Sequence, residues 1–483
     1  MSTKRAAALL LLCTVLRVVS LVRPCLSDDE AIYAVTGREM LTGHALYRDV
    51  VDHKPPAVYV INELTQAIGG PIGGMVLLHA LLILVVWSTG LVLARIVRRD
   101  DPHAAWLAAL LWCVFTTTLV DVDALAANCE LWMMLPLVAS VAAFLEERLV
   151  LTGALVAIAM LFKYQAGIQL PLYAVTWIAM QRTRALPGLA ALALGVTIPI
   201  AATIAGFAAA GTLAAARFWF LFNFSYIDAG PALGERVVRL LVRGGLVAGS
   251  AALLYGCALG GVRAAWASRR GRFVLGWVVV SALCVGVGGR FFGHYFHQLT
   301  APLCVLAAPV AMRWSDRRWF VATLAIPAAA FLVLGMLHDR VMGWAGEPDP
   351  DYARVIARLD AIAPRTASIC IWGNSPVLYF EAERPLGCRF TFANYLTGLV
   401  AGEPRVDAAA HVVPAAWTMF DHDLAERRPE LIVDGSPGNV AFYGAFPPEA
   451  FPSLANVLRC NYRDAATVDG MRIFQRLATP ACR

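Results

Sequence analysis

The sequence predicts a polytopic α-helical membrane protein with a C-terminal α/β domain outside the bilayer, and three observations carry that prediction. Of 483 residues, 59% are hydrophobic and only 15% charged, with a mean hydropathy of +0.64, a balance too apolar for an ordinary soluble enzyme. Apolar runs near the length of a bilayer crossing recur from residue 6 to residue 337. From "GEPDPDYARVIARLDAIAP" onward the runs shorten and prolines and charges return.

In order, the runs cover about residues 6–26, 75–94, 103–120, 131–145, 149–162, 167–181, 186–209, 240–262, 273–288, 298–312 and 319–337, or about eleven spans. The first reads as a retained span, because Arg17 and Arg23 interrupt it and no small-x-small cleavage site follows. With Lys4 and Arg5 cytoplasmic, every second loop is cytoplasmic too. Those loops carry Arg95, Arg98 and Arg99, then Arg148, Arg182 and Arg184, Arg263 to Arg272, and Arg313 to Arg318. The net charge of +6 is therefore mostly a topology signal. Arginines scattered over short loops argue against a nucleic-acid partner. An odd span count puts residues 339–483 on the side opposite the N-terminus, beyond a membrane domain of residues 1–338.

Between the first two spans, residues 27–74 form a long outer segment that reads as a juxtamembrane helix pair. Ser27 and Glu30 have the spacing of a capping box, and Asp28 and Asp29 fall in the first turn, where the helix dipole favours carboxylates. Gly43 supplies a stop, so a helix is expected over about 28–42. Lys54 precedes Pro55 and Pro56, which keep it out of a helix interior; such a lysine suits either a phosphate or a snorkelling position at the interface. A second outer segment, "AAARFWFLFNFSYIDAGPALGER", reads as an interfacial aromatic belt or as the wall for a lipid chain.

In the C-terminal domain the pattern gives a helix at about 350–362, strands at "SICIW" and "LYFEA", a helix at "FDHDLAERR" and a strand at "ELIVDG". It contains no phosphate loop or dinucleotide fingerprint. Cys370, Cys388, Cys460 and Cys482 lie where disulfides can form, with three pairings open. Cys370 serves equally as a small buried hydrophobe within its strand. The other seven cysteines show no metal-ligand spacing.

"DEAIYAVTGREML" followed by "DHKPPAVYVI" resembles the first external loop of bacterial GT-C glycosyltransferases related to protein O-mannosyltransferases and to the lipid A aminoarabinose transferase. Asp29, Glu30, Tyr33, Arg38, Glu39, Met40, Lys54, Pro55 and Pro56 match its pattern, with His53 standing as an extra residue between Asp52 and Lys54. "DALAANCELWMMLP" is similar to the family's A-N-x-E element and gives Asn128 and Glu130. "GRFFGHYFHQLTAP" is similar to another and gives Arg290, His294 and Tyr295, with Gln298 and Pro302. "LFKYQAG" places Lys163 where related transferases have a lysine. Asp29, Lys54, Glu130, Lys163, Arg290 and His294, the ionisable residues among these matches, fall on one expected face of the membrane, where they suit a polar cavity.

The resemblance implies a GT-C type membrane enzyme of a bacterial inner membrane, acting on the periplasmic face. Its donor would be a polyprenyl-phosphate sugar and its acceptor a cell-envelope lipid A, core oligosaccharide, polysaccharide or protein. Lys54, Arg290 and Lys163 would hold the departing phosphate, with His294 and Tyr295 donating hydrogen bonds. Asp29 would be the base, Glu130 a second choice or an orienting acid, and Glu30, Tyr33, Arg38 and Asn128 supporting residues. One displacement inverts the anomeric centre. No cofactor is required. His294 and His297, three apart, lack a carboxylate at ligand spacing, so a divalent metal is unsupported. The competing readings are a transporter or flippase of lipid-linked sugars and a membrane-anchored binding protein. The few ionisable residues inside the runs count against the flippase.

Overall fold

The computed structural model describes residues 2–23, 25–119, 122–337, 350–400 and 407–482. The expected boundary between the two domains, at residue 338, lies outside the described residues. Each of the eleven apolar runs carries helix. Among the described residues, five helices are long and apolar enough to cross a membrane: Ala57–Arg98, Ala185–Ala209, Arg269–Gly289, Gly293–Trp314 and Arg318–Met336. A sixth crossing results if Leu233–Ser250 and Ala252–Trp266, bent by 94°, are one broken span, while Ala105–Phe115, Cys129–Phe144 and Leu149–Met160 are shorter. Length and composition thus support five or six of the expected crossings. The first run is divided at Arg17 into Thr3–Leu16 and Val18–Val22. Gly293–Trp314 lies in the centre of the bundle, with 72% of its apolar window buried. Ala185–Ala209 and Arg318–Met336, at 17%, are peripheral and turn apolar side chains such as Leu194, Ile198 and Ile326 outward.

The first-loop helix spans Asp28–Leu41, close to the expected bounds. Ser27 Oγ accepts from Glu30 N at 3.3 Å, and Gly43 takes a left-handed φ of 93° just past the helix. Pro55 and Pro56 then turn the chain into Ala57–Arg98, which bends at Gly70 (φ 69°) before Pro71. The stretch before the bend packs along the first-loop helix so closely that a Cβ on Gly37 would meet Glu63 N at 2.7 Å. This is the helix pair expected of the loop.

The C-terminal segment contains a four-stranded sheet of order β1-β2-β4-β3, with β1 Ile369–Trp372, β2 Leu431–Asp434, β3 Tyr462–Val468 and β4 Met471–Arg476. β1 runs parallel to β2, and the other pairs are antiparallel. Flanking helices include Tyr352–Ile362, Pro414–Glu426 and Pro452–Asn461. "LYFEA", expected as a strand, is instead part of the helix Pro376–Ala382. Pro376 at the first turn presets helical φ, and Leu378, Tyr379, Phe380 and Ala382 are all buried, as every residue of β1 and β2 is too. Cys370 is bonded to Cys388 and Cys460 to Cys482, so the small-hydrophobe reading of Cys370 gives way to a crosslink.

This segment docks on the first loop. Val51 N donates to Arg389 O at 2.9 Å, Arg389 Nη1 to Arg48 O at 2.9 Å, and Arg427 Nη2 to Asp49 O at 2.7 Å.

Candidate active site

Capping places Asp29 in the first turn of its helix, and from there its carboxylate faces a cavity of about 590 Å³. The first loop and the helix Leu213–Asp228 line one side, with Asp28, Asp52, His53, Lys54, Phe222 and Tyr226. The C-terminal segment supplies the other, including Asn394, Tyr395 and His411. Asp29 keeps 36% of its side chain exposed, and its Oδ2 lies 3.6 Å from Lys54 Nζ. Tyr33, one turn on, donates its hydroxyl to the same oxygen at 3.3 Å. Burial opposes charge on Asp29, but Lys54, then His294, outweigh it and hold the carboxyl below its ordinary value. Burial likewise works against Lys54, and Asp29 foremost among its neighbours keeps it more firmly protonated than a free lysine.

Asp52 and His53 sit beneath. Asp52 is fully buried, yet His53, Lys54 and the Tyr59 hydroxyl overcome the effect of burial and keep it ionised. Tyr59 donates to Asp52 Oδ2 at 2.7 Å and His53 N to Oδ1 at 2.7 Å.

A second group adjoins the first. Glu130, in the first turn of Cys129–Phe144, is 2% exposed and ion-paired with Lys163, and His294 Nε2 lies 3.6 Å from the same carboxylate oxygen. The Lys163 ammonium stands 4.1 Å over the Tyr295 ring. Arg290 stacks 3.9 Å over the Tyr226 ring and donates to Tyr226 O at 3.2 Å. Tyr226 joins the two groups, because its ring also lies 4.9 Å from that of His53. Asp29, Lys54, Glu130, Lys163, Arg290, His294 and Tyr295 therefore form one neighbourhood.

The supporting residues divide. Tyr33 touches Asp29 directly. Glu30 is buried, with Oε2 accepting from Leu26 N at 2.6 Å, Oε1 accepting from Ala127 N, and His79 Nε2 at 3.2 Å. It closes the cap one residue earlier than a standard box and ties the Asp29 helix to the chain leading into Asn128, the buried N-cap residue of the Glu130 helix. Arg38 turns away from the cavity and donates to the carbonyls of Tyr379, Phe380 and Arg384, so its place is in the docking of the C-terminal segment. Asp52, Tyr226 and Tyr395 were not anticipated. Asp52 lies two residues before the Lys-Pro-Pro, and Tyr226 lies in the aromatic segment, so both had a local signal; Tyr395 had none. Among the described residues no three His, Cys, Asp or Glu side chains cluster as metal ligands, and His297 Nε2 lies 3.1 Å from Ala124 O.

No family model matches the sequence, and no curated protein matches it. Solved structures do. A crystal structure of ArnT from Cupriavidus metallidurans bound to undecaprenyl phosphate aligns over 99% of both chains, with TM-score 0.64 and 16% identity. Its apo form aligns over 97% of both, with TM-score 0.62 and 17% identity. The oligosaccharyltransferase AglB from Archaeoglobus fulgidus, in complex with an inhibitory peptide and a dolichol-phosphate, aligns over 98% of this chain and 74% of its own, with TM-score 0.52 and 12% identity. The chain shares its overall fold with these structures.

Proposed function

We propose that the chain is a multi-pass, inverting glycosyltransferase of a bacterial inner membrane. It moves a sugar from a polyprenyl-phosphate donor to a cell-envelope acceptor on the periplasmic face, with residues 339–483 as a periplasmic domain over an eleven-span membrane domain. The observation that carries this reading is the pairing of Asp29 with Lys54 at 3.6 Å on the wall of a cavity. A base and a phosphate-holding cation stand side by side. The shared fold supports the donor class, since one of the matched structures holds undecaprenyl phosphate and another a dolichol-phosphate.

The acceptor hydroxyl or amine attacks the anomeric carbon. As that bond forms, the bond from the anomeric carbon to the phosphate oxygen breaks, its electron pair leaves with the phosphate, and the acceptor proton passes to the Asp29 carboxylate. The phosphate departs as a stable anion, so it needs cations and no general acid. Lys54 is the nearest, with Lys163 and Arg290 beyond, and His294 and Tyr295 supply donors. The low proton affinity of Asp29 keeps it in the basic form before the donor arrives. A phosphate on Lys54 then takes up part of the lysine's charge, which raises that affinity when the proton must be accepted. Phe218, Leu221 and Phe222 on the cavity wall suit a lipid chain.

The test is mass spectrometry of lipid A, polysaccharide and glycoproteins from cells with and without the intact protein. A single sugar mass present only with the protein is expected; identical envelopes in both would overturn the reading.

A further inference from the structure

The Lys54 loop is gripped from four directions. Tyr47 donates its hydroxyl to Lys54 O at 2.6 Å, and Asn223 Nδ2 donates to His53 O at 2.9 Å. Tyr59 holds Asp52 from below at 2.7 Å. The fourth contact comes from Tyr395, in the short helix Asn394–Thr397 of the C-terminal segment, more than three hundred residues along the chain. Its hydroxyl donates to Asp52 Oδ1 at 3.2 Å and lies 2.8 Å from His53 Nδ1. One hydroxyl proton serves this arrangement when His53 carries its proton on Nδ1: His53 donates to Tyr395, and Tyr395 donates to Asp52.

We infer that Tyr395 is a positioning residue, by which the C-terminal segment fixes Asp52 and His53 and so sets Lys54 to receive a polyprenyl phosphate. The inference rests on the reading of Lys54 as the phosphate-holding cation. A buried carboxylate must have its lone pairs satisfied. Asp52 meets this with His53 N and the Tyr59 hydroxyl, with the Tyr395 hydroxyl, and with His53 Nδ1, 3.0 Å from its Oδ1. Without the Tyr395 hydroxyl, Asp52 loses one of these donors and His53 Nδ1 loses its partner at 2.8 Å, so both gain freedom to turn, and Lys54, the next residue, turns with them. The Tyr395 ring is held independently, 4.7 Å from Trp219, 4.9 Å from Phe392 and 5.2 Å from Phe222, so removing the hydroxyl leaves the packing in place. The C-terminal segment thus completes the phosphate site as well as walling the cavity.

A double-mutant cycle on the full-length protein in nanodiscs tests this, with undecaprenyl phosphate as the probe and phosphatidic acid as the charge-matched control. Tyr395→Phe is expected to weaken undecaprenyl phosphate binding about tenfold in the parent and less than twofold in a Lys54→Ala background, with an unchanged melting temperature. An equal factor in both backgrounds, or no change in the parent, would overturn the inference while leaving the proposed function standing. If the parent does not prefer undecaprenyl phosphate to phosphatidic acid, the proposed function falls, and this inference with it.

Discussion

Replacing Glu30 by Gln separates what holds the site together from what performs its chemistry. The Glu30 carboxylate is 1% exposed, accepts from the backbone N–H groups of Leu26 and Ala127, and faces His79 at 3.2 Å. Hydrogen bonds to a charged group contribute about 1.5–3 kcal/mol each. A Gln amide keeps one acceptor and turns its NH2 toward the other backbone donor, leaving that donor buried at a cost of about 1–3 kcal/mol. With the loss of the charge facing His79, the sum is about 3–5 kcal/mol, the range for breaking a buried charged interaction from one side. Asp28→Asn, two residues earlier and exposed, should cost only about 0.3–1 kcal/mol through the helix dipole. Unfolding in mixed detergent micelles, with both variants side by side, reads the difference. Because Glu30 joins the helices of Asp29 and Glu130, activity should fall in parallel with stability. Equal stability of the two variants would refute the buried tie.

Other consequences are open to direct test. The acid limb of the kcat/KM profile should lie below the ordinary aspartate value of 3.8, because Lys54 holds the Asp29 carboxyl down. Lys54→Ala should move that limb to higher pH, since the base works only when deprotonated; an unmoved limb would show that the two do not interact. Gly37→Ala drives a Cβ to within 2.9 Å of Asn62 and 2.7 Å of Glu63 N, and should destabilise the helix pair by about 1–3 kcal/mol in thermal unfolding. Thiol titration of the denatured protein should count seven free cysteines without reductant and eleven with it.

Much of this was legible because it is local. Ser27, Glu30 and Gly43 punctuate the first-loop helix, and each apolar run marks a helix. The strands Ile369–Trp372 and Leu431–Asp434 show as short apolar bursts. The β3–β4 hairpin was missed although Asp469-Gly470, with φ of 46° and 77°, is a strong turn signal; the exposed, polar face of β3 hid its alternation. "LYFEA" misled because a short fully buried helix and a strand share the same composition. Span length was read less well than span position, since breaks at Arg17, Gly70 and Ala251 come from backbone turns that hydropathy does not register. In the site, Asp29 and Lys54 could be paired through their motif. Tyr395 and the docking role of Arg38 could not, because each depends on contacts between residues more than three hundred positions apart.

In the proposed reaction everything turns on Asp29 accepting the acceptor's proton during transfer from a polyprenyl-phosphate sugar. The direct measurement is single-turnover sugar transfer in proteoliposomes by the purified protein and by Asp29→Asn, with no ATP or ion gradient. Transfer by the parent is expected, with a rate at least about a hundredfold lower for the variant, the scale of a lost general base, and donor binding retained. Transfer by Asp29→Asn at the parental rate would contradict it.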